Sequence, residues 1–446
     1  MRNGDSAGGV PLTPPPMFQA VPASPAERER DIGGRPRAPG SSAGPLAGIR
    51  VLDMTTVLMG PYATQSLGDM GADVIKIEAP EGDLMRQAGP QRHPGMGALF
   101  LNSNRSKRSL CLDLKQAAGR EVLRALLKDA DVLVHNLRPE AMRRLGLDYA
   151  ALAADFPGLL YVGLCGFGQD GPYAQLAAYD DLIQGACGLS ALLADSGDGQ
   201  PRYVPTALAD RVVGLSAVGS ICAGLLHRQR SGQGQCLEIP MFETMAALVL
   251  SDHLGGATFD PPLPGEGYGR LLSRWRRPYR TRDGHLCALV YNDRHWQAFL
   301  AEIGMADLPR RDPRFAGFAS RIAHVDHVYA FLAEQFLARD TADWLQTLAR
   351  IDVPAMPMHD LRSLRTDPHL VATDFFRTLE HPSEGRLRTL APAARWSATP
   401  SDCTQPAPRL GEQGEAILAE AGFAPAAIEA LVGQGVVRVP AHAPAG

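Results

Sequence analysis

The residues from Ile49 to Glu78 constrain the fold more than any other stretch. Ile49 to Met54 has the apolar pattern of a short strand. Thr55-Thr56-Val57-Leu58-Met59-Gly60 leads out of it, and Pro61 suits the first turn of a helix, where its missing N–H costs nothing. The helix is expected to run to Met70 and stop at Gly71, with a second strand over Ala72 to Glu78. Strand, glycine turn, helix and strand make a βαβ unit, which calls for a parallel sheet with helices packed on it. The first turn carries no G-x-G-x-x-G, so a dinucleotide reading is poor there.

The alternation continues. A helix is expected over Gln116 to Ala130, with Val122, Leu123, Leu126 and Leu127 on one side. Strands follow at Asp131 to Val134 and Leu159 to Leu164, then helices at Tyr179 to Leu192 and Leu208 to Arg228, and a strand at Cys236 to Ile239. In an open α/β sheet, ligands lie beyond the carboxyl ends of the strands. The loops at 55–60, 135–138 and 165–173 all leave such ends. Asn102 to Ser109 is the densest run of hydrogen-bond donors and reads either as a solvated turn or as a phosphate-contacting rim. Near Thr258 the pattern breaks into Pro261-Pro262-Leu263-Pro264-Gly265, and a small α+β unit begins around Arg274.

Composition narrows the function classes. The net charge is -4 with no basic block, which argues against nucleic acid as the main partner. The seven cysteines follow no metal spacing and read as reduced thiols of a cytoplasmic protein. The apolar run Val212 to Leu226 is short and flanked by charge, so a buried helix is expected there and no membrane span. No H-E-x-x-H, Walker sequence or G-x-S-x-G is present, and no metal is expected.

The chemistry concentrates between Gly166 and Asp210. Gly166-Phe167-Gly168-Gln169-Asp170-Gly171 is a glycine-dense turn after a strand, and its backbone N–H groups could serve a developing oxyanion. Asp210 opens a largely apolar helix, and composition alone leaves two readings: a helix N-cap, or a carboxylate that attacks an activated acyl group. Asp180 and Asp181 are a second acidic candidate, readable as a cap and a solvated neighbour.

Leu46 to Asp53, Gly60-Pro61, Gly68 to Glu78, Asn104 to Ser109, Asp131 to Asn136 and the stretch through Asp210, taken in order, resemble the family III CoA-transferases, the CaiB/BaiF family, and among them the formyl-CoA:oxalate CoA-transferase-like enzymes. The likeness spans about residues 45 to 430. It implies an α/β fold: an interlocked homodimer in which a large Rossmann-like domain takes chain from both ends and a smaller α+β domain lies between. On this chain that gives a Pro/Gly-rich disordered extension over 1–44, the large CoA-binding domain over 45–257, a linker over 258–273, the small domain over 274–364, a return to the large domain over 365–435 and a flexible tail over 436–446.

The resemblance also implies an activity: movement of CoA from an acyl-CoA donor to a carboxylic acid acceptor, with Asp210 as the catalytic residue and an aspartyl-CoA thioester on the way. Coenzyme A is then a substrate, and no tightly bound cofactor is implied. The CoA-contacting positions fall on Val57, Leu112, Lys115, Asn136, Leu137, Arg138 and Arg144. Leu58, Met59, Tyr179, Asp180, Gly166, Gly168 and Gln169 fall at the acyl pocket or in support of it. Leu58 stands where the oxalate enzyme has a glutamine, and Arg274-Trp275-Arg276-Arg277 occupies the region of its glycine loop, so oxalate is not the expected acid and a dicarboxylate is one option. The alternatives are an α-methylacyl-CoA racemase and a non-catalytic homologue acting through protein contacts. The racemase type uses a histidine where this chain has Tyr179, and a phenol is a poor base at neutral pH.

Overall fold

The computed structural model describes residues 44–403 and 405–440. The extension expected over 1–44 therefore lies, Gly44 apart, outside the described residues, as do 441–446. The chain divides into two compact units. Among the described residues, the first takes the chain up to Gly163, Ala217–Leu237 and everything from Phe375 on; the second takes Leu164–Ser216 and Glu238–Asp374.

The strands in chain order are β1 (Arg50–Met54), β2 (Asp73–Glu78), β3 (Lys107–Leu112), β4 (Val132–His135), β5 (Leu160–Cys165), β6 (Cys236–Pro240), β7 (Tyr279–Arg280), β8 (His285–Ala288), β9 (Ala355–Pro357), β10 (Phe376–His381), β11 (Gly385–Leu390) and β12 (Val437–Arg438). Seven of them form one sheet in the order β12-β3-β2-β1-β4-β5-β6. The pairs β3-β2, β2-β1, β1-β4 and β4-β5 are parallel, and β12 runs antiparallel along β3 with Val437 opposite Leu112. The βαβ reading of residues 49–78 thus matches the architecture, with the helix over Met59–Asp69.

The period-2 alternation of these strands sorts two faces. Leu52 and Met54, Ile75 and Ile77, and Leu110 and Leu112 join an apolar core closed by Val122, Leu123, Leu126 and Leu127 of the Ala117–Leu127 helix. The opposite face carries Asp53, Lys76, Glu78 and Lys107, all buried. Such charges are tolerated inside only when paired. The Lys107 ammonium lies 3.0 Å from Asp53, and Lys76 lies 2.9 Å from Asp83. The Arg86 guanidinium meets both Glu78 oxygens, at 2.8 and 2.7 Å.

Three expectations change here. Asn102 to Ser109 is neither a solvated turn nor a phosphate rim: Arg105 binds Asp69, Arg108 binds Asp73 and Glu420, and Lys107 binds Asp53. Those cations are spent on neighbouring carboxylates. The flexible tail expected over 436–446 does not hold for its described part, because Val436 and Val437 are buried and β12 pairs with β3. The block 45–257 is not one body, since 164–216 and 238–257 belong to the second unit. The reason is local: Phe167 stacks at 5.6 Å from Phe242 and 5.5 Å from Tyr173, and Glu238 and Glu243 hold the 166–170 loop.

The second unit contains the antiparallel sheet β7-β8-β9, covered by helices Asp293–Glu302, Val325–Phe336 and Thr341–Arg350. Its core is aromatic, with Trp296, Phe299, Phe315, Phe336 and Trp344 buried together. The helix expected at Leu208 to Arg228 spans Leu208–Ser231. Its length and hydropathy suffice to cross a membrane, and it is less buried than expected: 39% of its apolar window is buried, and Leu215 is 56% exposed.

Candidate active site

Asp210 lies inside the first turn of the Leu208–Ser231 helix, so it is not that helix's N-cap. Its backbone N–H donates to Asp180 Oδ1 at 2.9 Å, and Asp180 sits in the first turn of the Asp180–Ala186 helix. A free N–H at a helix start is a normal docking point for a carboxylate. Here that carboxylate brings a second negative charge to the side of Asp210. Asp210 is 9% exposed. Burial first, and the Asp180 charge second, push its pKa up from 3.8 to about 6, with Arg211 pulling the other way. The result is a carboxylate more basic than usual and ionised in the main at neutral pH.

Asp180 is itself held. Gln184, one helical turn on and fully buried, donates from Nε2 to Asp180 Oδ2 at 2.6 Å and accepts from the Val204 N–H at 2.9 Å. Sequence reasoning passed over Gln184. The signal was available, since a glutamine four residues after an aspartate shares its helix face. Tyr179 caps the same helix and is 65% exposed, with no basic side chain in the place of the racemase histidine.

The glycine turn departs from expectation. The Gly168 N–H donates to Glu243 Oε1 at 2.8 Å, and the Gln169 N–H donates to Glu238 Oε1 at 2.9 Å. These two amides are occupied by carboxylates and are not free oxyanion donors. The Gln169 side chain bonds the Phe167 carbonyl at 2.8 Å. Gly166 is required for packing, because a Cβ there would fall 2.2 Å from that of Ala178. The loop thus fixes the approach to Tyr179 and Asp180. Cys165, between the strand and the loop, has its thiol pushed up to about 12 by burial and by Glu238, which leaves it no thiolate at neutral pH.

In the first unit, the expected CoA-contacting residues Val57, Leu112, Lys115 and Asn136 to Arg138 gather at the carboxyl ends of β1, β3 and β4. Asn136 latches the β1 loop twice, accepting from the Thr56 N–H at 3.0 Å and donating to the Thr56 carbonyl at 2.9 Å. Val57 has φ 71°, a conformation that a β-branched residue adopts only under constraint. Its N–H is held by Asp83 at 3.2 Å, a residue the sequence did not single out. Gly60 permits the turn, since a Cβ there would clash with the Thr55 side chain at 2.3 Å. Leu58 and Met59 begin the following helix and are buried. Lys115, Arg138 and Arg144 are exposed, and Leu137 packs against the apolar core. His135 is buried, and burial lowers it to about 4, so it stays neutral. No group of three or more metal-ligating side chains occurs among the described residues.

The likeness to known proteins is extensive. The model of CoA-transferase family III matches residues 46–414. A succinate–glutarate CoA-transferase of Agrobacterium fabrum is 34% identical over 84% of this chain and 95% of that protein. A formyl-CoA:oxalate CoA-transferase of Escherichia coli O157:H7 is 30% identical over 87% of this chain and 98% of that protein. The crystal structure of a CaiB/BaiF family protein from Brucella suis superposes with a TM-score of 0.72 at 32% identity, covering 85% of this chain and 99% of that one. The chain belongs to the family III CoA-transferases, the CaiB/BaiF family, and its activity is transfer of CoA between an acyl-CoA and a carboxylic acid.

Proposed function

We propose that Asp210 is the covalent nucleophile of this transfer. The observation that carries the reading is a buried carboxylate raised to about 6, with burial and the Asp180 carboxylate on its N–H outweighing the pull of Arg211. A more basic, partly desolvated carboxylate is a better nucleophile toward a thioester carbonyl. An Asp210 oxygen adds to the donor acyl carbon and the CoA thiolate leaves, which gives a mixed anhydride. The thiolate then attacks the Asp210 carbonyl, forming an aspartyl-CoA thioester and releasing the donor acid. The acceptor carboxylate attacks that thioester, the thiolate leaves again, and its return onto the acceptor carbonyl yields the new acyl-CoA and free Asp210. Each step exchanges one activated acyl bond for another, so positioning is the main demand on the protein.

In this reading Val57, Leu112, Lys115, Asn136, Leu137, Arg138 and Arg144 receive CoA, and the strained Val57 loop latched by Asn136 is the pre-formed part of that surface. Leu58, Met59 and Tyr179 border the acyl group, while Asp180, Gly166, Gly168 and Gln169 support the turn before it. The working molecule is an interlocked homodimer in the cytoplasm. Exposed Leu215, Leu226, Leu248 and Leu250 on the Leu208–Ser231 and Met241–His253 helices are apolar surface of the kind that subunits cover.

Asp210→Ala tests the proposal. It is expected to abolish exchange of CoA between acids while leaving the circular dichroism spectrum unchanged. Full transfer in that variant overturns the reading. Solvent deuterium appearing at the α-carbon of a 2-methylacyl-CoA, with no acceptor acid needed, would favour proton transfer in its place.

A further inference from the structure

Asp210 is seated by a chain of hydrogen bonds that begins outside its own helix. Asp180 commits both oxygens to that chain: Oδ1 accepts from the Asp210 N–H at 2.9 Å, and Oδ2 accepts from Gln184 Nε2 at 2.6 Å. The rest of the Gln184 amide grips the approach to the Leu208–Ser231 helix. Its Oε1 accepts from the Val204 N–H at 2.9 Å, and its Nε2 lies 3.4 Å from the Thr206 carbonyl. That approach is tightly bent. The Thr206 N–H donates to the Val204 carbonyl and the Leu208 N–H to the Thr206 carbonyl, both at 2.7 Å. Gln184 therefore ties two things together: the acid beside Asp210 and the turn that delivers Asp210.

The residue type matters. Gln184 is fully buried, and a buried amide is tolerated when its donors and acceptor are matched. Here the nitrogen faces a carboxylate and a carbonyl while the oxygen faces an N–H, so the amide has one orientation that satisfies all three. Methionine fills the same space and does neither job, and an ionised glutamate accepts but does not donate. The charged groups that act on Asp210 are Asp180 and Arg211. Gln184 carries no charge and acts by fixing where the Asp180 charge stands.

We propose that Gln184 is a positioning residue of the transfer, whose amide holds the Asp180 carboxylate and the 204–206 turn in the arrangement that seats Asp210. The proposal rests on the reading of Asp210 as nucleophile. Its test is a cycle of variants in the full chain, with transfer rates followed across pH. Gln184→Met is expected to lower kcat about tenfold or more while KM for acyl-CoA stays within about twofold. Gln184→Glu sets two carboxyl groups against each other, and two acids so close share one proton. Below the pH at which that proton leaves, it supplies the missing donor; above it, the rate is expected to fall in a step that wild type lacks. Asp180→Asn combined with Gln184→Glu restores every bond in reverse, since the asparagine amide donates to the glutamate and its oxygen still accepts from the Asp210 N–H. The pair is expected to lose the step and to regain the kcat of Asp180→Asn alone. Wild-type kcat in Gln184→Met overturns the proposal, as does a Gln184→Glu profile with no new step, or a pair whose losses simply add. Should Gln184→Met fail to fold, the glutamate variant and the pair decide alone. Hydroxylamine trapping on wild type separates the two readings. No hydroxamate on Asp210 with the coupling intact sinks the nucleophile and leaves Gln184 as the support of residue 210; a hydroxamate without coupling sinks only the role of Gln184.

Discussion

Asp53 and Asp210 are both buried aspartates, and their surroundings drive them in opposite directions. Burial raises the pKa of each. At Asp53 the Lys107 and Lys76 ammoniums and the Thr55 and Thr64 hydroxyls more than reverse it, and the carboxyl ends far below its ordinary range. At Asp210 the neighbour is Asp180, and the shift is upward to about 6. A carboxylate so well satisfied as Asp53 is a poor nucleophile and a good fastener, with the opposite holding for Asp210. Burial of an acid alone says little about its role; the sign of its partners decides.

The largest effect that could break this contrast is on turnover. Asp210→Asn is expected to lower kcat by about 10⁴-fold or more, since removal of a covalent nucleophile has that scale elsewhere. Transfer rates measured with saturating acyl-CoA and acid check it. Asp53→Asn is expected to act on stability instead, by about 3–5 kcal/mol in urea unfolding, because it removes the ion-pair partner of the buried Lys107 ammonium. A stable Asp53→Asn would remove its assignment as a fastener.

The third effect appears at neutral pH and vanishes in acid. The folded state raises Asp210 from 3.8 to about 6, so it holds that proton more tightly than the unfolded chain. The stability this contributes is full below 3.8 and is lost as pH rises through about 6. Asp210→Asn is therefore expected to be more stable than wild type at pH 7, by about 1–3 kcal/mol, with no such gain near pH 4. Paired unfolding curves at the two pH values read this directly. The smallest effect belongs to Asp180→Asn, which keeps an acceptor for the Asp210 N–H and removes the charge. The acidic limb of the pH–rate profile, which follows ionisation of Asp210, is expected to move to lower pH.

Much of the first unit was legible in the sequence because its signals are local. Gly60-Pro61, the stop at Gly71 and the alternation in Val74 to Glu78 each report on backbone geometry within a few residues. The Ala117–Leu127 helix announces its buried side through Val122, Leu123, Leu126 and Leu127. What the sequence hid depends on distant partners. Nothing near Lys107 says that Asp53 will neutralise it, and so a fastened ion pair looked like an exposed donor run. In the same way the amides of Gly168 and Gln169 looked free until Glu243 and Glu238 folded onto them. Asp210 was visible as an acid at a helix start, and the family likeness pointed to it as nucleophile. Its pairing with Asp180 across thirty residues was not readable from spacing.

Nucleophilic transfer requires a covalent bond to Asp210. The direct measurement is to mix the full chain with an acyl-CoA at pH 7 in the absence of acceptor, quench with hydroxylamine, and locate the modified carboxyl by peptide mass spectrometry. A hydroxamate is expected on Asp210, absent from Asp210→Asn and absent from Asp53 and Asp180. Transfer proceeding normally with Asp210 unmodified, or with the modification on another carboxyl, would contradict it.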